Sequence, residues 1–199
     1  MADLSKALSA ASAAVNTEIS ALSNFAKNLE ANLKPALEII LETQGHVVVT
    51  GLGKSGLVGA KISATLASTG TPSFFLHSGD ALHGDSGSLT PGDVLIAISN
   101  SGESAEVCAI AKMAKSWGNK TIAITKNTNS TLAKSCDAVI EIAFENEADP
   151  LNLAPTTSTT LTIAAGDAIA SALMAHRGFT AQDFGKRHPG GALGQATNK

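Results

Sequence analysis

The sequence contains few of the features that mark secreted, membrane-inserted or nucleic-acid-binding proteins. It has only two cysteines, Cys108 and Cys136, so neither a disulfide framework nor a zinc ribbon is expected. The formal net charge of −3 provides no overall positive field for nucleic acid or for an anionic membrane. Charges at Asp3, Lys6 and Glu18 exclude the uninterrupted apolar stretch of a signal peptide or membrane span. These absences favour a cytoplasmic protein with neither a membrane nor nucleic acid as partner.

The composition is typical of one compact domain. At 199 residues, with 44% hydrophobic and 16% charged residues, the chain can bury a sizeable core. No internal repeat and no linker divides it. We therefore expect a single domain over residues 1–199, with N-terminal helices in 1–44 and an α/β core in 45–199.

The N-terminal region has a helical pattern. Large apolar side chains recur at spacings of three, four and seven along residues 3–34, which predicts a long amphipathic helix. Pro35 suits the first turn of a second helix that runs to Gln44, and Gly45 suits its C-terminal cap. Part of the stripe has heptad spacing, so it could contact a helix of another subunit or cover its own domain. The residues one heptad apart are Leu8, Val15, Leu22 and Leu29.

After residue 45, short apolar runs alternate with helical segments. The runs are rich in valine and isoleucine and almost continuous, which is typical of strands buried on both faces of a parallel sheet. A further helix is predicted over residues 156–177, ending before Gly178. The expected fold is a three-layer α/β/α sandwich around a five-stranded parallel sheet. The predicted strands are residues 46–50, 73–77, 94–98, 121–125 and 138–142.

The third predicted strand leads into a loop of small hydroxyl residues, and a helix follows. Gly102 lets the backbone of this loop approach a ligand closely. The N terminus of the following helix adds unpaired N–H groups and a positive dipole end. This arrangement predicts an anion site. Its polar loop residues are Ser99, Asn100, Ser101 and Ser104.

Residues 51–56 match G-x-G-x-x-G, the dinucleotide fingerprint, between a strand and a helix. Lys54 and Ser55 put a charge and a hydroxyl where a dinucleotide would need bare backbone. Asp80, after the second strand, could serve as a ribose-binding acid, so dinucleotide binding stays open as an alternative. An exposed loop lysine is the simpler account of Lys54, but glycines such as Gly53 would turn it towards a cleft.

Two histidines and two acids occur in nine residues after the second strand. His77, His83 and Asp85 could ligate a divalent ion, but their spacing is not that of a known helical or ribbon site. Loop histidines often only bond the backbone, and Asp85 suits an ordinary turn. We expect no metal to be required, and His83 stays a candidate ligand for an inhibitory ion.

A run of hydroxyl residues follows Pro155 at the start of the last long helix. One such residue would suffice as the helix cap, so the run indicates additional anion donors. We expect this helix N terminus and the serine-rich loop to converge on one phosphate. The run consists of Thr156, Thr157, Ser158, Thr159 and Thr160.

Six segments carry a resemblance to a known family: residues 51–56, 67–75, 83–85, 98–104, 153–160 and 188–194. Together they resemble the sugar isomerase (SIS) domain of bacterial D-arabinose 5-phosphate isomerases, and the resemblance covers nearly the whole chain. It implies flavodoxin-like strand order and interconversion of D-ribulose 5-phosphate and D-arabinose 5-phosphate through an enediolate, without a cofactor. It also implies a homotetramer with sites at subunit boundaries, and a place at the entry to Kdo synthesis for lipopolysaccharide or capsule.

By this resemblance, four residues occupy catalytic positions. Glu147 would shuttle the carbon-bound proton, and His188 would transfer protons at oxygen or assist ring opening. Lys54 would offset developing negative charge, and Glu106 would orient Lys54 or a hydroxyl. The resemblance also implies a substrate-binding set. Its members are Gly53, Ser55, Asp80, His83, Ser99, Asn100, Ser101, Ser104, Thr156, Thr157 and Ser158.

The chain departs from the family pattern in three respects. Family members commonly carry a regulatory CBS pair after this domain, whereas this sequence stops at Lys199 as a natural or truncated short form. Asp80 stands where the family usually has glutamate, and Ser78 where it has proline. Asp149 replaces the cysteine of a family Glu-Ala-Cys-Pro segment, whose glutamate is retained as Glu147.

Two alternative functions stay open. The chain could isomerise another ketose phosphate, because a phosphate site does not determine the number of carbon atoms. It could also be a sugar-phosphate sensor without catalysis, since SIS domains also serve as effector-binding units. A sensor would need the serine-rich loop but neither Glu147 nor His188, and the presence of both favours an enzyme.

Overall fold

The computed structural model describes residues 4–190. Its centre is a parallel sheet of five strands in the order β2-β1-β3-β4-β5, the flavodoxin-like order expected from the sequence. All five predicted strands are confirmed, and β2 and β3 have the predicted bounds. The strands are β1 (Val47–Gly51), β2 (Ser73–His77), β3 (Val94–Ile98), β4 (Lys120–Thr125) and β5 (Ala138–Glu141).

Helices cover both faces of the sheet. They are α1 (Ser5–Lys27), α2 (Leu29–Glu42), α3 (Gly53–Ser68), α4 (Ser78–Ala81), α5 (Ala105–Ser116), α6 (Thr131–Ser135), α7 (Thr157–Arg177) and α8 (Ala181–Arg187). The core on one face contains residues of α1, α2, α3 and α7, and the core on the other contains residues of α4, α5 and α6. The predicted three-layer sandwich is therefore confirmed.

The double coverage explains why the strands are apolar at every position. In β1, Val47 and Val49 belong to the core beneath α3 and α7, whereas Val48 belongs to the core beneath α5. All three are at most 1% exposed. A strand with helices on both faces has no solvent side, so it does not alternate apolar and polar residues.

The N-terminal region forms two helices, as predicted, but the first ends at Lys27 instead of continuing to residue 34. Asn28 separates α1 from α2, with a backbone (φ −111°, ψ 14°) outside the helical range. After this turn α2 lies against β5, where the Asn32 side-chain amide bonds both the C=O and the N–H of Glu141 at 2.8 Å. The amide thereby pairs both backbone groups of Glu141 in the edge strand of the sheet. A single straight helix would not bring Asn32 to this strand.

Pro35 and Gly45 do not have the predicted roles. Pro35 lies in the interior of α2 rather than in its first turn, because the helix begins earlier, at Leu29. Gly45 lies beyond the helix end, and its N–H donates to the carbonyl of Gly92 at 3.0 Å. A Cβ at Gly45 would lie 2.3 Å from Oδ1 of Asp93. Glycine is needed here for the close approach of two loops, not as a helix cap.

Helices α3 and α7 run in the same direction. They cross closely at Gly166, where a Cβ would lie 2.4 Å from Ile62. Their C-terminal ends are joined by the Arg177 guanidinium, which donates to Thr71 Oγ1 at 2.6 Å. As predicted, α7 ends at Gly178, in left-handed geometry. Because the C-terminal ends meet, both helices begin at the end of the sheet where the strands finish, here called the carboxyl end.

Helix α7 is the one described helix long and apolar enough to cross a membrane by length and composition. It packs against α1, α2 and α3. Of its most apolar window, 44% is buried inside the protein. Its buried side chains, which include Leu161, Ile169 and Leu173, belong to the core on that face of the sheet.

The apolar stripe of α1 is divided into two halves. Leu22 packs against the core, as does Leu29 at the start of α2. The side chains in the N-terminal half are each more than half exposed. That half does not cover its own domain, and it remains an apolar surface. Its exposed members, here called the α1 stripe, are Leu4, Leu8, Val15 and Ile19.

Candidate active site

The candidate site lies at the carboxyl end of the sheet, between β1 and β3. Gly51 ends β1 and pairs with Ile98, which ends β3. The glycine loop (residues 51–56) and the serine loop (residues 99–104) therefore begin side by side. Along the chain, β1 leads to β2 on one side and β3 leads to β4 on the other, so this is the topological switch point. Ligands of open α/β sheets bind in the crevice at such a point.

The glycine loop folds closely against the start of α3. A Cβ at Gly56 would lie 3.0 Å from the Gly51 carbonyl oxygen, and Gly53 has a positive φ of 57°. Both positions therefore favour glycine. Lys54 is exposed in the first turn of α3, beside the half-buried Ser55. No described residue forms an ion pair with the Lys54 ammonium, which leaves it available to a ligand in the crevice.

The serine loop brings two hydroxyl groups together at the start of α5. Ser99 Oγ and Ser104 Oγ lie 2.9 Å apart and hydrogen-bond each other. Ser104 is the N-cap residue of α5, but its hydroxyl does not cap the helix. Ser101 is exposed, and its Oγ accepts the N–H of Glu103 at 3.2 Å. Two serine hydroxyls therefore lie next to the unpaired N–H groups of one helix.

Two side chains that are not among the predicted site residues connect the serine loop to α5 and α6. The Glu103 carboxylate accepts the Thr131 N–H at 2.9 Å, and this bond lowers the pKa of Glu103. The Cys108 thiol donates to the Gly102 carbonyl at 3.4 Å, and burial raises the pKa of that thiol. Neither side chain could be assigned this contact from the sequence, because each contact depends on how α5 and α6 pack.

The Glu147 carboxylate occupies the N terminus of α7. Its Oε2 accepts the N–H of Thr156 at 2.8 Å and the N–H of Ser158 at 3.1 Å. The Thr156 hydroxyl lies 3.3 Å from the same oxygen. We expected these donors to bind phosphate jointly with the serine loop; in the structure the carboxylate takes them, because it is the anion nearest to the helix N terminus.

Four buried side-chain atoms lack a hydrogen-bond partner within the described chain: His77 Nδ1 at the end of β2, and Asn100 Oδ1, Thr157 Oγ1 and Ser158 Oγ. Thr157 and Ser158 start α7, and Asn100 lies in the serine loop, so all four lie at the carboxyl end of the sheet. Buried polar atoms are nearly always hydrogen-bonded. These atoms are available to hydrogen-bond a polar ligand or water, and Asn100, Thr157 and Ser158 belong to the predicted substrate-binding set.

The remaining predicted residues at this end have few fixed contacts. Glu106 is half-buried in the first turn of α5, and His83 is exposed. His77 Nδ1 lies 3.3 Å from Asp80 Oδ2. Within residues 4–190 no group of three or more His, Cys, Asp or Glu side chains could hold a metal ion. The metal alternative for His77, His83 and Asp85 is therefore not supported.

His188 lies at the opposite end of the sheet. It follows α8, which begins just after α7 ends. The adjacent Arg187 lines a shallow cavity with His46 and Ser73, which stand where β1 and β2 begin. Within one chain, the structure therefore places Lys54 and Glu147 at the carboxyl end and His188 at the other. The segment of the 188–194 motif after residue 190 lies outside the described residues.

The imidazole of His188 is held in one orientation. It stacks on the Phe184 ring, with centroids 3.8 Å apart and an interplanar angle of 17°. His188 Nδ1 lies 2.9 Å from the Phe184 carbonyl oxygen. A carbonyl only accepts, so Nδ1 carries the proton and Nε2 is the acceptor of the neutral ring. Helix α8 begins with a Thr180–Asp183 capping box, a sequence signal that could have predicted it.

The fold and the site define a doubly wound α/β domain with a polar, serine-lined crevice at its switch point. The chain belongs to the SIS domain family, whose profile matches residues 40–172. It is 55% identical over 176 residues to arabinose 5-phosphate isomerase KpsF of Escherichia coli O6:H1, which covers 88% of this chain and 54% of that protein. It is 49% identical over 181 residues to arabinose 5-phosphate isomerase KdsD of Pseudomonas aeruginosa, covering 91% and 56% respectively.

A solved structure of an Escherichia coli CFT073 protein in complex with arabinose 5-phosphate superposes with a TM-score of 0.90. The two sequences are 40% identical, and the match covers 94% of this chain and 100% of that chain. By contrast, the chain spans about half the length of the curated relatives it matches.

Proposed function

We propose that this protein is an aldose-ketose isomerase that interconverts D-ribulose 5-phosphate and D-arabinose 5-phosphate. The observation that carries the proposal is the Glu147 carboxylate, which is fixed at the start of α7 beside the unpaired hydroxyls of Thr157 and Ser158. A sensor would need the hydroxyls but not a fixed carboxylate. The similarity to named arabinose 5-phosphate isomerases, and to a structure with arabinose 5-phosphate bound, supports the choice of substrate.

The reaction requires one carbon-bound proton to move between C1 and C2 of the sugar. A base removes the proton from C1 of the ketose, which yields an enediolate, and returns it to C2 to give the aldose. One proton also passes from the C1 oxygen to the C2 oxygen, so no oxidant or reductant is needed. Oε1 of Glu147 has no hydrogen-bond partner among the described residues, whereas Oε2 is bound to α7. Oε1 is therefore the atom that takes up the proton.

The other groups stabilise negative charge on the substrate, at the enediolate oxygen and at the phosphate. The Lys54 ammonium and the N-terminal N–H groups of α3 stabilise the enediolate oxygen, which is negative only during the reaction. Ser104 donates to the phosphate at the start of α5, and Ser99, which hydrogen-bonds Ser104, orients that hydroxyl. Glu106, one turn further into α5, orients the lysine or a substrate hydroxyl.

Replacing Ser104 by alanine is expected to raise KM for the sugar phosphate about tenfold to a hundredfold, with kcat nearly unchanged. The phosphate is remote from C1 and C2, so its hydrogen bonds are equally strong in the ground and transition states. A hydrogen bond to a charged group contributes about 1.5–3 kcal/mol, which sets the scale of the change. Steady-state kinetics would measure it, and Ser116→Ala at the far end of α5 is the control. An unchanged KM would mean that the phosphate binds elsewhere.

We further propose that the protein is a cytoplasmic homotetramer with sites at subunit boundaries. His188 and Lys54 lie at opposite ends of one chain, so the His188 of a neighbouring chain would complete each site. The α1 stripe supplies an apolar surface for such a contact, because its side chains are more than half exposed. Light scattering should give the mass of four chains, and the mass of one chain would contradict this part of the proposal.

The substrate is tested directly by incubating the purified protein with D-ribulose 5-phosphate and with a panel of other ketose phosphates. Chromatography and NMR would identify the products. We expect D-arabinose 5-phosphate from D-ribulose 5-phosphate. Turnover of a different ketose phosphate alone would assign the protein to another isomerase activity, and binding of sugar phosphates without turnover would make it a sensor.

A further inference from the structure

The segment that carries Glu147 to its place has no helix or strand of its own. We call residues 145–156 the acidic loop; it follows β5 and leads into α7. A loop of this length keeps a defined shape only if other groups bind its backbone. The placement of the Glu147 carboxylate therefore depends on contacts inside the loop.

Asp149 binds three backbone N–H groups of the acidic loop. Its Oδ1 accepts the N–H of Leu151 at 2.9 Å, and its Oδ2 accepts those of Leu153 and Ala154, both at 2.8 Å. Burial opposes ionisation of this carboxyl, but the backbone hydrogen bonds outweigh it and lower the pKa of Asp149. Both carboxylate oxygens are thus engaged by the loop itself.

Asn152 connects this turn to Glu147. Its side-chain Oδ1 accepts the Glu147 N–H at 2.7 Å, and its own N–H donates to the Asp149 carbonyl at 3.0 Å. Within residues 4–190, Asn152 is the one non-glycine residue with positive φ, at 55°. Asparagine tolerates this conformation better than most residues. The Asn152 side-chain amide also donates to Asn146 Oδ1 at 3.1 Å.

We infer that Asp149 and Asn152 are positioning residues that hold Glu147 against the N terminus of α7. The inference rests on the proposed role of Glu147 as the proton carrier. Asp149 fixes the turn over residues 149–154, Asn152 transmits this fixed geometry to the Glu147 backbone, and the N–H groups of α7 hold the carboxylate from the other side.

The first test is kinetic. Asp149→Ala is expected to lower kcat about tenfold to a hundredfold, because a misplacement of roughly 1 Å in a reacting group has effects of that size. KM should change less than about threefold, since the serine loop is separate. Asn152→Gly keeps the positive φ but removes the contact to Glu147, and should also lower kcat. Asn152→Asp keeps an acceptor oxygen and should restore most of it.

Glu145→Gln is the matched control. It removes one negative charge from the same loop, and within the described chain the Glu145 carboxylate makes no hydrogen bond. Its kcat should stay within about twofold of the wild-type value, because the loss of the Glu145 charge alone does not displace the Glu147 carboxylate. A loss as large as that of Asp149→Ala would show a general charge effect and overturn the inference.

A double variant separates positioning from general damage to the fold. If Asp149 acts through Glu147, Asp149→Ala should have no further effect on kcat once Glu147→Gln has removed the carboxylate. Multiplying losses, or wild-type kcat in Asp149→Ala, would overturn the inference. Hydrogen exchange gives a readout without substrate: the N–H groups of Thr156 and Ser158 should exchange faster in Asp149→Ala. If the wild type isomerises no sugar phosphate, the proposed function fails while this exchange measurement still decides the positioning.

Discussion

Replacing Glu147 by glutamine is expected to lower kcat for D-ribulose 5-phosphate by at least about a hundredfold, the usual effect of removing an acid-base group. An amide cannot take up the carbon-bound proton. It can, however, replace the carboxylate at the N terminus of α7, because its carbonyl oxygen can accept the N–H groups of Thr156 and Ser158 as Oε2 does now. The substitution therefore removes the base and leaves the helix start paired.

Alanine at the same position provides the contrast. Glu147→Ala should be equally inactive, and it should also unfold at lower temperature, because the loss of a group that caps a helix costs about 0.5–2 kcal/mol. Thermal melting of both variants, with kcat and KM for the folded ones, distinguishes chemistry from stability. A Glu147→Gln variant with near-wild-type turnover would remove this carboxylate from the mechanism.

The strands of the sheet could be predicted because each one is marked by its own short run of residues. A strand covered on both faces must be apolar along its length, so runs such as Val94–Ile98 are distinct in the sequence. The end of α7 was equally predictable, since Gly178 provides the left-handed cap. The break at Asn28 was not, because it depends on the contact between α2 and β5, more than a hundred residues away in the chain.

For the candidate site, the loops that lie side by side could be predicted, but the arrangement of its side chains could not. Strand ends lie together in any parallel sheet, which is why the glycine and serine loops could be expected side by side. Whether the donors at the start of α7 bind phosphate or a carboxylate depends on the path of the acidic loop. The position of His188 depends on the direction that the chain takes after Gly178. Neither path follows from a pattern of residue types.

His188 should be needed for turnover although it lies far from Glu147 in its own chain. His188→Asn is expected to lower kcat at least about a hundredfold, because it removes Nε2, the proton acceptor of the neutral ring. The asparagine amide can still donate to the Phe184 carbonyl as Nδ1 does, so the C-terminal end of α8 should stay folded. Steady-state kinetics and thermal melting measure the two effects, and an active His188→Asn variant would restrict catalysis to the carboxyl end of the sheet.

Mixed oligomers determine which chain supplies His188. If each site combines Glu147 of one chain with His188 of another, co-expressed Glu147→Gln and His188→Asn chains should regain about a quarter of wild-type activity. The fraction follows because random assembly gives each site an intact Glu147 half of the time and an intact His188 half of the time. Co-expression of Glu147→Gln with the Glu147→Gln/His188→Asn double variant is the control and should stay inactive. If the first mixture also stays inactive although the oligomers are mixed, His188 acts within its own chain, because every chain then has a defective site.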